Sequence, residues 1–390
     1  MEEQTMKRML ALFLALMMAV SLLACAQKEV VPEETEPPVT APTEPAKKTI
    51  HVLLPATGEG WEGAVNEQTW TAIDALQEAD NYEIVTANYE SLEQQSGLLA
   101  DIAAQSTGDG TQAVVTMPLA AEMDDLFAGL MEANVAYALG GIIPAGAEAA
   151  SVTNVQYDQQ AIGAAVAAWL VQNGLTQENK VLIIQGLSED EALRTEGFRR
   201  YLQGKLAHEG AVIETPWTST ENIVYSDMQG ETAESAEDYF TTYMEESDHA
   251  DVKFIAAWDD AYVMGVLEAL EGENIPAENK AKFLDGAPFV AGCGGSQAML
   301  DVLTGASAYT NAASFGGMQT VVLSTDLLKI ALETMVSYLD GTVVPQDNTQ
   351  PIVWATAENA GQFTGYAFAE KQPTELPAEE PTTEAATAGE

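Results

Sequence analysis

Short apolar runs alternate with amphipathic stretches along most of the chain. Residues 254–258 form one such run, and apolar residues then recur at helical spacing over 263–270. This pattern predicts a buried strand that leads directly into a helix, with Asp259 and Asp260 in the turn between them. Gly272 supplies a stop signal for the helix.

The same alternation extends over about 300 residues. Further strand signals fall at 50–54, 82–87, 113–117, 135–139, 181–185, 211–215, 289–291 and 352–354. Helical patterns fall at 64–77, 92–105, 161–172, 193–208, 234–245 and 318–339. Such alternation is typical of parallel sheets covered by crossover helices, and this number of units exceeds one ordinary sheet. The predicted fold class is therefore α/β, with two doubly wound parallel-sheet lobes.

Proline-rich acidic segments flank the patterned region. Residues 25–49 and 370–390 are rich in Pro, Glu, Thr and Ala and contain few large apolar residues. Segments of this composition cannot bury enough apolar surface to become ordered. We predict a disordered tether at the amino end and a disordered acidic tail at the carboxyl end.

The first 24 residues have the features of an export signal. Two basic residues precede an uncharged apolar run at 9–23, which is shorter than the roughly 20 residues that span a bilayer. The Leu-Leu-Ala-Cys sequence ending at Cys25 resembles the lipobox of bacterial lipoproteins, which implies cleavage before Cys25 and lipid attachment to its thiol. The alternative is a chance cysteine after a signal peptide. Met6 is an alternative start, because acidic residues precede the basic pair.

The charge of the chain excludes nucleic acid as a partner. The chain has 15 basic and 60 acidic residues, a net charge of −45, so a phosphate backbone would repel it. The two cysteines, Cys25 and Cys293, form no disulfide framework.

No pattern in the sequence indicates catalysis. The three histidines, His51, His208 and His249, lack metal-ligand spacing, and neither a nucleophile elbow nor a Walker loop occurs. The acidic run at 189–191 is typical of solvated surface acids. We expect no enzyme activity, no cofactor and no metal site.

Several motifs occur in one order along the chain: a strand and aromatic-bearing loop at 50–61, Asp-Gln-Gln-Ala-Ile-Gly at 158–163, Arg-Thr-Glu-Gly-Phe at 194–198, Asp-Asp-Ala-Tyr-Val-Met-Gly at 259–265, and helix ends at 303–305 and 339–345. In this order they resemble the type I periplasmic binding proteins, in particular the ribose/galactose-type solute-binding proteins of ABC importers. The resemblance covers residues 50 to about 368.

The resemblance implies two lobes joined by three crossovers and closing on one ligand. It places 50–151 and 314–341 in one lobe, and 152–313 and 342–369 in the other. We expect a monomeric, lipid-anchored protein on the extracytoplasmic face of the cell membrane, which captures a small polar ligand, foremost a sugar, for an ABC permease. One alternative is a receptor of the same fold that signals to a sensor kinase or chemoreceptor. A third alternative is a hydrolase on a similar scaffold, which would cleave its ligand and not only retain it.

The resemblance also indicates ligand-binding residues. Arg194 would donate hydrogen bonds to ligand oxygens, Asp259 would accept them, and Trp61 would stack on a sugar face. The alternative interpretation of Arg194 is an exposed cation on its helix. The alternative interpretation of Trp61 is hydrophobic cover for the first helix. Trp217 is a secondary candidate, together with Asp260, which we expect mainly to cap its helix. We expect Trp258 to lie in the core, although it is also a secondary candidate.

Three segments depart from the family pattern. Polar contacts common in sugar binders are replaced by Leu-Gly-Gly-Ile at 139–142, by Gly-Cys-Gly-Gly at 292–295, and near the third crossover by Asn-Ala-Ala-Ser at 311–314. The glycines at 292–295 either form a tight turn or present backbone N–H groups to an anionic ligand. Because of these departures, the motifs support a binding protein more firmly than they support a sugar ligand.

Overall fold

A computed structural model describes residues 47–56 and 60–367. The predicted signal peptide, the lipid attachment at Cys25, the tether up to residue 46 and the acidic tail at 370–390 lie outside these residues and stay predictions. The predicted end of the tether at residue 49 is wrong, because Lys48 and Thr49 belong to the first strand. Within the described part, no helix is both long and apolar enough to cross a membrane.

Strands and helices alternate through the described residues. The strands are β1 (Lys48–Pro55), β2 (Tyr82–Tyr89), β3 (Gln112–Thr116), β4 (Ala136–Gly140), β5 (Asn154–Gln156), β6 (Val181–Ile184), β7 (Ile223–Tyr225), β8 (Phe254–Ala257), β9 (Phe289–Gly294), β10 (Gly317–Val322), β11 (Asp347–Thr349) and β12 (Val353–Thr356). The helices are α1 (Gly60–Ala79), α2 (Leu92–Gln105), α3 (Asp124–Glu132), α4 (Ala145–Glu148), α5 (Gln159–Gln172), α6 (Glu189–Leu202), α7 (Ala233–Tyr243), α8 (Asp260–Glu271), α9 (Ala277–Asp285), α10 (Gln297–Thr304) and α11 (Leu327–Leu339).

The strands form two six-stranded sheets, one in each lobe. Their orders are β11-β5-β4-β3-β1-β2 and β12-β10-β9-β8-β6-β7. Neighbouring strands are parallel except for β12, which runs antiparallel to β10. The chain passes between the sheets three times, after β5, after β10 and after β11. These sheets confirm the predicted α/β fold with two lobes and three crossovers.

The sheets correct the predicted lobe boundaries. The short strands β5 and β11 pair in the first sheet, and β10 pairs in the second. The lobes are therefore 48–156 with 327–349, and 159–322 with 353–367. Strands of three residues, such as β5 and β11, are too short to show a periodic pattern in the sequence.

Three local predictions are wrong. Residues 211–215 form no strand beyond an isolated bridge between His208 and Ala211. The helix predicted at 318–339 begins only at Leu327, because the β-branched run Thr-Val-Val ending at Val322 completes β10. The segment 311–314 belongs to a 3₁₀ turn before β10, whereas the third crossover is at 350–352.

Helices α5 and α6 pack with their backbones in close contact. Asp158 caps α5 by accepting a hydrogen bond from the Ala161 N–H at 2.9 Å. A Cβ atom on Gly163 would lie 1.8 Å from the Arg194 carbonyl oxygen, and one on Gly197 would lie 2.0 Å from that of Gln160. Only glycine fits at these two positions, and the close packing brings the amino end of α5 beside α6.

Candidate functional site

A cavity of about 290 Å³ lies between the lobes, where the carboxyl ends of both sheets meet. The first lobe contributes Trp61, Glu62 and Met117 to its wall, among other residues. The second contributes polar residues from the amino-terminal halves of α5 and α6 and from the turn after β8. Ligands of open α/β sheets bind at this edge.

Arg194 lies on the cavity wall and is held by two hydrogen bonds. Its side chain is 7% exposed, its Nε donates to Gln159 Oε1 at 2.8 Å, and its Nη1 donates to the Trp258 carbonyl at 2.6 Å. A guanidinium has five N–H groups, so three remain for a ligand. The alternative of an exposed helix cation is wrong, because the contact between α5 and α6 buries the side chain.

Asp259 lines the cavity as predicted, but Asp259 rather than Asp260 caps the helix. Asp259 caps α8, because its Oδ1 accepts from the Ala261 N–H at 2.7 Å, and it lines the cavity. Asp260 is fully buried in the first turn and does not line the cavity. The prediction that Asp260 caps the helix is therefore wrong: the last extended residue before the helix is Asp259, with φ −138° and ψ 147°.

The glycine-rich turn after β9 surrounds the Asp260 carboxylate. Asp260 Oδ2 accepts from the N–H groups of Gly295 and Ser296, both at 2.8 Å, and Oδ1 accepts from Thr320 Oγ1 at 2.6 Å. A Cβ on Gly292 would lie 2.5 Å from Oδ1. Of the N–H groups considered above for an anionic ligand, that of Gly295 therefore binds an acid of the chain itself.

Burial raises the pKa of the carboxyl groups around the cavity. It raises the pKa of Asp259 to about 7, an effect that Asp260 strengthens and that the Ala261 N–H and Arg194 oppose. Burial also raises the pKa of Asp260 to about 6, against the hydrogen bonds that it accepts. The pKa values of Glu62 and Asp190 are raised by the same cause. These acids are costly to ionise without a cation or donor beside them.

The tryptophan candidates fall in different places. Trp61 lines the cavity, and its buried Nε1 donates to no described residue. Trp217 packs in the hydrophobic core at 6% exposure and does not line the cavity. Trp258 is fully buried, as expected, and donates from Nε1 to Thr195 Oγ1 at 2.7 Å. Trp61 thus remains a ligand candidate, whereas Trp217 has a packing role.

Some cavity residues have only a weak signal in the sequence. Asp190 accepts from Gln159 Nε2 at 2.9 Å and lines the cavity, and its neighbour Glu191 is 7% exposed. The interpretation of 189–191 as solvated acids is therefore wrong for both. The sequence signal for Asp190 is its spacing from Arg194, because residues four apart lie on one face of a helix.

Tyr366 enters the site from the end of the described chain. Its carbonyl accepts from the Gln297 N–H at 2.8 Å, and the residue forms a bridge with Ser296. Together with Tyr157 and Leu323 it also borders a larger cavity of about 1220 Å³ beside α1 and the crossovers. No local pattern marks Tyr366 as a site residue, because its position depends on contacts distant in sequence.

One group of described side chains has ligand atoms close enough to share a metal ion. Atoms of Glu246, Asp248 and His249 lie within 4.8 Å of one another, and both acids are exposed. The group does not line the cavity. Exposed acids often cluster without a metal, so we assign it no function.

Comparisons with known proteins agree with this architecture. The sequence profile of the family described as periplasmic binding protein domain matches residues 50–342. No curated protein matches the chain.

Solved structures share the fold at low sequence identity. An ABC transporter solute-binding protein from Bacillus halodurans with bound myo-inositol has 14% identity and a TM-score of 0.61, covering 82% of this chain and 98% of its own. A periplasmic ribose ABC transporter protein from Conexibacter woesei has 16% identity and a TM-score of 0.59, covering 81% and 94%. An arabinose-transporter binding protein from Shewanella, bound to L-arabinofuranose, has 15% identity and a TM-score of 0.58, covering 80% and 93%.

Proposed function

The chain belongs to the periplasmic binding protein family, and we propose that it is an extracytoplasmic solute-binding lipoprotein. It captures a small polar ligand, foremost a sugar, between its lobes and delivers it to an ABC import permease. The family is a class of solute-binding proteins that catalyse no reaction.

The observation that carries this proposal is a cavity lined by both lobes and by crossover residues. Trp61 and Met117 come from the first lobe, Arg194 and Asp259 from the second, and Tyr157 from a crossover. A ligand in contact with both lobes stabilises the arrangement in which they are closed together. A permease that recognises only the closed arrangement would then distinguish loaded protein from empty protein.

The polar groups of the cavity support a ligand with several hydroxyls. Arg194 has three N–H groups left to donate, and the carboxylate of Asp259 has an oxygen left to accept. Sugar hydroxyls both donate and accept, and the Trp61 ring offers an apolar face for stacking. The structures of the same fold that hold myo-inositol and L-arabinofuranose add support for this ligand class.

Membrane attachment is the second part of the proposal. Cys25 follows the apolar signal core in a lipobox-like sequence, so lipidation there would anchor the protein on the extracytoplasmic face. Cys25→Ser should release the protein from membranes while leaving the export signal in place. Export of an unmodified wild-type chain with intact Cys25 would contradict the anchor.

Thermal-shift measurements on the purified chain test ligand capture. The panel contains sugars, polyols, nucleosides and amino acids, because a ligand that binds only the native state raises the melting temperature. We expect the largest shift from a sugar or polyol. A shift given only by amino acids or nucleosides would overturn the sugar assignment, and a protein shifted by none of the panel would overturn capture of these solutes.

A further inference from the structure

The cavity walls carry more negative than positive charge. Three carboxylates line the cavity, those of Glu62, Asp190 and Asp259, against the single guanidinium of Arg194. With Glu62, Asp190 and Arg194 ionised, the lining has one uncompensated negative charge, and Asp259, whose pKa burial raises to about 7, adds a second when it ionises. A bound molecule therefore enters a partly desolvated site of negative potential.

Arg194 does not neutralise these acids through direct ion pairs. It donates to the side-chain oxygen of Gln159 and to the carbonyl of Trp258, and it forms no salt bridge with a carboxylate among the described residues. Arg194 is 7% exposed and fixed by these two bonds, so it cannot swing across the cavity to another acid.

Each of the three carboxylates keeps an oxygen for a ligand. Asp190 accepts at Oδ2 from Gln159, and Asp259 accepts at Oδ1 from the Ala261 N–H. No described residue donates a hydrogen bond to Glu62, which is partly exposed at the cavity rim and whose pKa is raised by desolvation. A cation beside these groups would offset the cost of burying their charge.

Aromatic rings complete the cavity wall. Trp61, Tyr157 and Tyr366 all border it. A positively charged nitrogen is attracted to aromatic faces as well as to carboxylates, and the attraction strengthens when water is excluded. Carboxylates combined with aromatic rings therefore favour a cationic group over a neutral one.

We propose that the captured ligand carries a protonated amine in addition to hydroxyls, as in an amino sugar. This inference rests on the proposed function, because it specifies the solute for the same cavity. The ammonium group lies between the Glu62 and Asp190 carboxylates and the aromatic wall, and hydroxyl oxygens accept from Arg194. A neutral sugar would leave the excess negative charge uncompensated, and a sugar acid would add to it.

Calorimetric titration with sugars of similar size and different charge tests the proposal. The probes are D-glucosamine, D-glucose and D-glucuronate, and the corresponding galactose set, at about pH 6.5, where a sugar amine is mostly protonated. We expect at least one amino sugar to bind about tenfold or more tightly than its neutral counterpart, since a charge-assisted hydrogen bond contributes at least that much. The sugar acids should not bind detectably.

Variants locate the effect in the cavity. Glu62→Gln and Asp190→Asn should each weaken amino-sugar binding about tenfold and reduce the preference over the neutral sugar. Glu189→Gln is the matched control, because Glu189 is exposed in the same first turn as Asp190 and does not line the cavity. The Glu189→Gln variant should bind amino sugars with the affinity of the wild type.

The outcomes separate this inference from the proposed function. Neutral sugars that bind as tightly as the amino sugars, or no binding by either amino sugar, overturn the amine assignment. If neutral sugars bind as tightly as the amino sugars, the proposed capture of a solute between the lobes still holds. Equal losses in Glu189→Gln and Asp190→Asn would also overturn the amine assignment, because they would reflect the net charge of the whole chain.

Discussion

Gly163 lies directly against the backbone carbonyl of Arg194. A Cβ atom at this glycine would be 1.8 Å from the carbonyl oxygen, well inside any real contact distance. The two helices therefore approach as closely as their backbones allow. The position of the Arg194 side chain in the cavity depends on this contact, because the contact sets how α6 lies on α5.

Gly163→Ala should destabilise the protein and weaken ligand binding. The methyl group must push α6 away, and overpacking of this kind costs about 1–3 kcal/mol or more. Urea unfolding followed by circular dichroism measures the loss. Gly97→Ala is the control: Gly97 lies in α2 with open space around it, so alanine should be neutral or slightly stabilising there. Equal effects of the two substitutions would contradict the argument.

Replacing Arg194 should affect binding and stability together. Arg194→Ala removes the cavity's guanidinium and leaves the buried Trp258 carbonyl and Gln159 side chain without their donor. We expect loss of the ligand-induced thermal shift and a decrease of about 1–3 kcal/mol in the free energy of unfolding. Arg199→Ala, on the same helix and 39% exposed in its side chain, should change neither by much. Retained ligand binding in Arg194→Ala would show that the site is elsewhere.

The sequence was sufficient to predict the fold because its signals are local. Apolar runs identified eight of the twelve strands and missed β5, β7, β10 and β11. Trp61, Arg194 and Asp259 do line one cavity. The lobe boundaries were missed because β5 and β11 have only three residues each and pair with partners distant in sequence. Strands of that length are too short to show a periodic pattern.

The site could be predicted only in part, because side-chain roles at a turn depend on neighbours from other elements. Asp260 looked like a helix cap, yet its partners are Gly295, Ser296 and Thr320, which follow it by 35 residues or more. Tyr366 reaches the cavity from beyond the last strand. Neither position is encoded in nearby residues, so sequence periodicity could not reveal it.

Asp260→Ala should be strongly destabilising. The buried carboxylate accepts from the Gly295 and Ser296 N–H groups and from Thr320, and alanine would leave these donors unsatisfied. Each unsatisfied donor costs about 1–3 kcal/mol, so we expect a loss on the order of 3 kcal/mol or more in chemical denaturation. Asp260→Asn keeps an acceptor oxygen and should lose less. Asp285→Ala, at an exposed position, is the control and should remain near wild type.

The stability of the ligand-free protein should depend on pH through Asp259. Burial raises its pKa to about 7 in the folded state, above the roughly 3.9 of an unfolded chain. Between these values the folded state holds a proton that the unfolded state has released, so the free energy of unfolding falls as pH rises from about 4 to 7. Above about pH 7 both states have released this proton, so the free energy of unfolding no longer changes with pH through Asp259.

Asp259→Asn separates this effect from the other acids of the chain. Asparagine stays neutral and keeps an oxygen for the Ala261 N–H, so the variant should gain stability relative to wild type as pH rises through the same window. The gain should be on the order of a few kcal/mol, measured by urea unfolding at several pH values. Asp158→Asn removes the charge of an exposed cap on α5 and is the control for the loss of one acidic side chain. A difference between Asp259→Asn and wild type that is constant with pH would mean that Asp259 is ionised in the folded protein across this range.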